Sequence, residues 1–165
     1  MIRKINTAYN NFKSWYNKMI SFGYTITPIA IEYTIICQWF GGTIDCIMMI
    51  SKGSFSRIYI VDFKTSKDIY PEYLLQVFGY RWAYLLQKDL PHWIDGIGII
   101  RIDKNKPVFE DLFLDYNMDK DIKILNEIEQ SFFYMLNWYY WKQQLSYNTK
   151  LGKTINGKEG LFYAG

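Results

Sequence analysis

Between residues 2 and 20, apolar side chains return at steps of three and four: Ile2, Ile5, Tyr9, Phe12, Trp15, Tyr16, Met19 and Ile20. That spacing predicts an amphipathic helix with its lysines on the other side, ended by Ser21-Phe22-Gly23. From Tyr24 to about Ile50 the texture changes to β-branched and aromatic residues, interrupted by Pro28 and by Gly41-Gly42. Two strands are expected there, roughly 29–36 and 39–50. Ser51-Lys52-Gly53-Ser54 reads as a turn, and a cleanly alternating strand, Arg57 to Thr65, follows. A second helix opens at Asp68 to Pro71, with Pro71 near its first turn and Glu72 placed to suit the dipole. It runs to about Lys88, and Pro91 closes the segment.

Strands near 96–103 and 107–115 come next. A long helix, about 119–145, then carries Ile122, Leu125, Ile128, Phe132, Met135, Leu136, Tyr139 and Tyr140. The tail, 146–165, is polar and expected to be mobile as far as Leu161-Phe162-Tyr163. No repeat or low-complexity block interrupts this order. Helix, three-strand antiparallel meander, helix, two strands and helix predict a single α/β domain over 1–165. Its core spans about 24–115, and the helices 2–20 and 119–145 flank it.

Composition narrows the class. A chain of 165 residues, half of them hydrophobic, has the size and core of one ordinary domain. No uninterrupted apolar run approaches 18 residues, so no spanning helix is expected. Met1-Ile2-Arg3-Lys4 leads into no apolar signal region, which points to an intracellular, cytoplasmic protein. Cys37 and Cys46 form no CxxC and have no companion histidines, so two free, largely buried thiols are expected and no zinc site. GxxxxGK[ST], GxGxxG and GxSxG are all absent, and a single histidine leaves no plausible histidine-dependent nucleophile.

The net charge of +3 is unevenly placed. Residues 1–31 carry Arg3, Lys4, Lys13 and Lys18 without an acid, and 130–158 carry Lys142, Lys150, Lys153 and Lys158 without one. The centre, 32–129, holds 11 basic and 15 acidic residues. Such a layout suits a cation held centrally and a polyanion around it, although solvated faces would also produce it. Aromatic residues reach 19%. Stacking on nucleic-acid bases would use them, but most fall at core spacing, and an AT-rich genome inflates Tyr and Phe. The same bias, with the compactness, fits a viral origin and then a host cytoplasm.

Four short elements carry the chemistry. In Gly41-Gly42-Thr43-Ile44-Asp45 a carboxylate ends an apolar and small-residue stretch. In Ile60-Val61-Asp62-Phe63-Lys64-Thr65, Asp62 and Lys64 share a strand face, about 6–7 Å apart along the backbone. A carboxylate and an ammonium inside a hydrophobic strand are costly unless paired or bound. Two aspartates on adjacent strands can converge on a hard divalent cation, with the Phe63 carbonyl as a further oxygen. A lysine nearby can orient water or balance charge on a phosphate. An ordinary same-face ion pair is the simpler reading of Asp62 and Lys64 alone; their occurrence with Asp45, across a turn, favours the site. In Gln76-Val77-Phe78-Gly79-Tyr80, Gln76 and Tyr80 share a helix face. Glu32, on the face of Ala30, Thr34 and Ile36, is either a further ligand or an edge residue facing water.

Glu32, GGTID, IVDFKTSK and QVFGY, in this order, resemble the RecB-like exonuclease branch of the PD-(D/E)XK nuclease superfamily, over about residues 29–85. The branch includes bacteriophage and mitochondrial exonucleases and nuclease domains of recombination helicases. The resemblance implies a restriction-endonuclease-like core with a central mixed sheet. It also implies magnesium- or manganese-dependent hydrolysis of DNA phosphodiester bonds, as an exonuclease in replication, recombination or repair. Asp45 and Asp62 would be metal ligands with the Phe63 carbonyl, and Lys64 the catalytic lysine. Gln76 and Tyr80 would support the site or hold substrate, and Glu32 matches the acidic position of the first core strand.

The upstream histidine of many relatives is missing. His92 lies downstream, between Pro91 and Trp93, as a surface loop residue. The cluster-binding cysteines of some relatives are missing too, so no iron–sulfur cluster is expected. A structure-selective endonuclease of the junction-resolvase kind is the alternative enzyme. A nuclease-fold DNA-binding or assembly module that no longer cleaves is the alternative outside enzymes. DNA is the expected partner, and the aromatic-rich helix 119–145 could add a protein partner or self-association.

Overall fold

A computed structural model describes residues 2–87, 89 and 91–156. Backbone contacts divide the chain into two compact units, Met1–Glu129 and Gln130–Gly165. The first unit contains α1 (Ile2–Ser21), β1 (Thr25–Ile36), β2 (Gly41–Lys52), β3 (Phe55–Lys64), α2 (Pro71–Leu85), β4 (Gly96–Ile102) and β5 (Phe109–Asp115). It also contains the start of α3 (Asp119–Asn156), whose remainder forms the second unit. Among the described residues, no helix is long and apolar enough to cross a membrane.

The five strands form one mixed sheet in the order β1-β2-β3-β4-β5. The meander β1-β2-β3 is antiparallel, β3 and β4 are parallel, and β4 and β5 are antiparallel. A parallel pair needs a long crossover, and α2 supplies it. Its helix begins at Pro71, whose missing N–H costs nothing in the first turn, with Glu72 behind it.

Helices cover both faces. On one, Trp15 packs with Cys46, Met48, Ile50, Tyr59, Val61 and Ile100, with Phe12 and Met19 beside it. Trp15 is 1% exposed, and its indole N–H donates to Asp111 Oδ2 at 3.0 Å. One turn earlier, the buried Asn11 Nδ2 donates to the carbonyls of Asp103 (2.6 Å) and Lys106 (2.7 Å). The opposite face joins Ile35, Ile44, Ile47 and Ile60 to Ala83, Tyr84 and Ile94. The first unit is thus a helix–sheet–helix sandwich around β2, β3 and β4.

Several boundaries differ from the sequence expectation. β1 begins at Thr25, not near 29, and includes Pro28. An edge strand tolerates proline, and the ladder slips by one residue between Pro28 and Ala30. α2 stops at Leu85, short of Lys88. α3 continues to Asn156 rather than ending near 145, so the first part of the expected polar tail is helical. Leu161-Phe162-Tyr163 lie outside the described residues. The α3 stripe is buried at Leu125, Ile128 and Phe132, whereas Met135 and Tyr139 are about half exposed.

On α1, Phe12, Trp15 and Met19 pack inward, but Ile5, Tyr9, Tyr16 and Ile20 remain substantially exposed. The core spacing of the aromatics therefore overstates their burial. A helix with apolar residues on a stripe wider than its contact leaves part of that stripe uncovered.

Candidate active site

β1 and β2 are kinked together at one row. The pair Ile31↔Cys46 lies on the α1 side and the pair Tyr33↔Ile44 on the α2 side, so the faces swap across the row holding Glu32 and Asp45. Glu32 makes the swap possible by adopting a positive φ of 51°, a conformation that costs a residue with a Cβ. The alternation expected around Glu32 is therefore broken. Its side chain is exposed on the edge strand.

The β2–β3 ladder ends at the same place. Its last pair is Cys46↔Val61. Beyond it, the Phe63 N–H donates to Asp45 Oδ2 at 2.8 Å, so a carboxylate stands where a main-chain acceptor would continue the ladder. Asp45 is half-buried and its charge reaches both neighbours.

Asp62 is 3% exposed. Burial pushes its carboxyl above the usual carboxylate range, Lys64 pulls it back, and Asp45 adds to the rise. Lys64 Nζ lies 2.7 Å from Asp62 Oδ2. The contact is a close ion pair, and the ammonium compensates the buried oxygen although its geometry is not that of a directed hydrogen bond. The ammonium donates instead to Gln76 Oε1 at 2.8 Å, and Gln76 Nε2 donates to the Tyr80 hydroxyl at 2.8 Å. Tyr80 closes the circuit against Gly42, where a methyl group would sit 2.6 Å from the ring Cε1. A side chain at that contact would push the ring aside and pull its hydroxyl from Gln76.

The structure thus brings Asp62, Lys64, Gln76 and Tyr80 into one polar chain, with Asp45 on the neighbouring strand. Among the described residues, no three acidic, cysteine or histidine side chains gather as a metal cluster, so Glu32 is not brought in as a third carboxylate. His92 is exposed in the loop after α2, as its sequence position suggests.

Two participants escaped the sequence reading. The Tyr73 ring carries Lys64 Nζ 4.6 Å from its centroid, a cation–π contact that further fixes the ammonium. Tyr73, Gln76 and Tyr80 stand at i, i+3 and i+7, a spacing visible in the sequence. Arg101, 3% exposed, pairs with Lys64 in the β3–β4 register. It forms ion pairs with Glu110 (2.9 Å) and Asp103 (3.6 Å) and donates to the Ser66 carbonyl at 3.2 Å. It pins the loop that follows Lys64. The signal was a lone cation in the apolar strand Gly96–Ile102.

Cys46 follows Asp45 and is buried. Burial, then the charge of Asp45, push its thiol up to about 11. At pH 8 only about one thiol in a thousand is then ionised, so alkylation of native Cys46 is expected to run at least about 100-fold slower than in denaturant. Timed labelling read by peptide mass spectrometry checks this, and equal rates in both states would contradict the burial.

Comparison of the sequence with protein-family models and with curated proteins finds no match.

Proposed function

We propose that the chain is a metal-dependent deoxyribonuclease, acting as a cytoplasmic exonuclease in DNA replication, recombination or repair. The observation that carries this reading is the polar chain Asp62–Lys64–Gln76–Tyr80, set beside Asp45 where the β2–β3 ladder ends. An ion pair serving only the fold would not need a glutamine and a tyrosine to hold its ammonium in place.

The donor set fits a hard divalent cation. Asp45 and Asp62 bring two carboxylates close enough for the charge of one to raise the other's carboxyl, a repulsion that a shared cation relieves. Asp45, Asp62 and the Phe63 carbonyl would hold magnesium or manganese. When bound, such an ion supplies Lewis acidity toward phosphate and acidifies water.

The side chains contribute the remainder. Lys64, fixed by Asp62, Gln76 and Tyr73, would orient the attacking water and balance charge developing on the phosphate. Gln76 and Tyr80 keep the ammonium from swinging to solvent and face the substrate. The acid-free basic segment 1–31 would lie along the phosphate backbone, giving an affinity that falls with salt.

The decisive experiment incubates end-labelled linear DNA and covalently closed circular DNA with magnesium, manganese or EDTA. Metal-dependent loss of the linear form alone, absent in Lys64→Ala, is the expected result, and the label gives the polarity. Cutting of branched or circular DNA would favour the structure-selective endonuclease. No cutting with any metal would favour the non-cleaving module.

A further inference from the structure

A cavity of about 470 Å³ lies on the α1 side of the sheet, directly across β3 from Lys64. Its wall is part aromatic, with Tyr9, Phe12, Trp15 and Tyr16 from α1 and Phe63 from β3, and part aliphatic on the side of β1 and β2, with Lys13 among them. Asp45 also lines it, so cavity and candidate active site share the end of the β2–β3 ladder. Phe63 separates them, since its ring faces the cavity while Asp62 and Lys64 project to the other face.

We propose that this cavity takes the nucleobase of a DNA strand whose phosphate lies at Asp45, where the cavity meets the candidate active site. The inference rests on the nuclease reading and names how that site grips its substrate. A nucleotide is half flat π-system and half anion, and the two halves of this region match it. Tyr9 is 63% exposed and Tyr16 39%, so rings with open surface stand at the cavity, available to stack. The volume lies within the range of about 300–1,000 Å³ common to small-ligand sites. Segment 1–31 has four basic residues and no acid, and Lys13 sits in the wall, so a polyanion is drawn to the same face. An aliphatic ligand would use the apolar wall but not Lys13.

A base seated there must leave its stack, so the site would prefer single-stranded or frayed ends. The test uses short single-stranded oligonucleotides with 2-aminopurine at one end or the other, bound with magnesium to the slow-cleaving Lys64→Ala chain. Stacking quenches this fluorophore. Strong quenching is expected for one end, lost on adding Tyr16→Ala or Tyr9→Ala, with affinity lower by about 10-fold. Both tyrosines are partly exposed, and unchanged thermal unfolding shows that the variants fold. In parallel, wild type with metal is compared on intact ends and on ends lacking the terminal base. Cleavage of the abasic end should be about 10-fold slower, a difference that Tyr16→Ala removes.

Cleavage at equal rates on both ends, without quenching, would overturn the base site and leave the nuclease intact. Quenching that depends on Tyr16, without cleavage under any metal, would support the base site and sink the nuclease reading.

Discussion

Lys64→Ala and Asp62→Asn are each expected to slow metal-dependent DNA cleavage by at least about 100-fold, the scale seen when one preorganised electrostatic group is removed from a transition state. DNA affinity should stay within about threefold, because the phosphate backbone is held by many charges and loses only one. Single-turnover cleavage beside a binding isotherm separates the two. Equal loss of binding and cleavage would show that these residues hold DNA rather than act on it.

The two variants should also part in stability. Lys64 lowers the Asp62 carboxyl against the rise imposed by burial. Without Lys64 the folded-state value climbs further above that of the unfolded chain. A raised carboxyl contributes fully at pH below the unfolded value and loses that contribution as pH rises through the folded one. The gap in melting temperature between Lys64→Ala and wild type should therefore widen from acid toward neutral pH. Asp62→Asn, which removes the titrating group, should not show that widening.

Trp15→Ala is expected to cost about 3–5 kcal/mol, as for other buried tryptophans cut to alanine. In a chain of this length, that lowers the melting temperature by on the order of 10 °C. The loss combines a cavity beneath α1 with a broken bond to Asp111. Asp111 is itself exposed, so its carboxylate rehydrates and the cavity dominates. Trp15→Phe should accordingly cost no more than about half as much. Thermal unfolding followed by circular dichroism checks both. A Trp15→Ala melt within about 2 °C of wild type would mean that α1 contributes little to holding the sheet.

The elements around the candidate site were readable because each had an unambiguous local signal. Gly53 turned the second strand into the third, alternation defined β3, and Pro71 opened α2. Asp62, Lys64, Gln76 and Tyr80 could be picked out because polar groups in apolar surroundings need partners, and they prove to be partners of one another. The kink at Glu32 was not readable, since glutamate has no preference for positive φ and the swap of faces depends on pairing between strands. Exposure of the second α1 stripe was equally hidden. Helical spacing says which side chains lie together but not how wide a surface the sheet offers them. The extension of α3 past 145 failed for the opposite reason: Gly152 and the Asn and Thr residues near it mark a stop by propensity, and the helix runs through them to Asn156.

The irregular course of β1 also protects the molecule from itself. A twelve-residue strand at the margin of a sheet would ordinarily be an inviting template for another chain's backbone, especially with apolar Ile31 and Ile36 outward. Here Pro28 withholds a donor, the slip between Pro28 and Ala30 bends the line of carbonyls, and the left-handed turn at Glu32 breaks it again with a charged side chain. What remains are segments too short and too twisted for a second strand to zip along, so fibril growth from this margin has no straight stretch on which to begin.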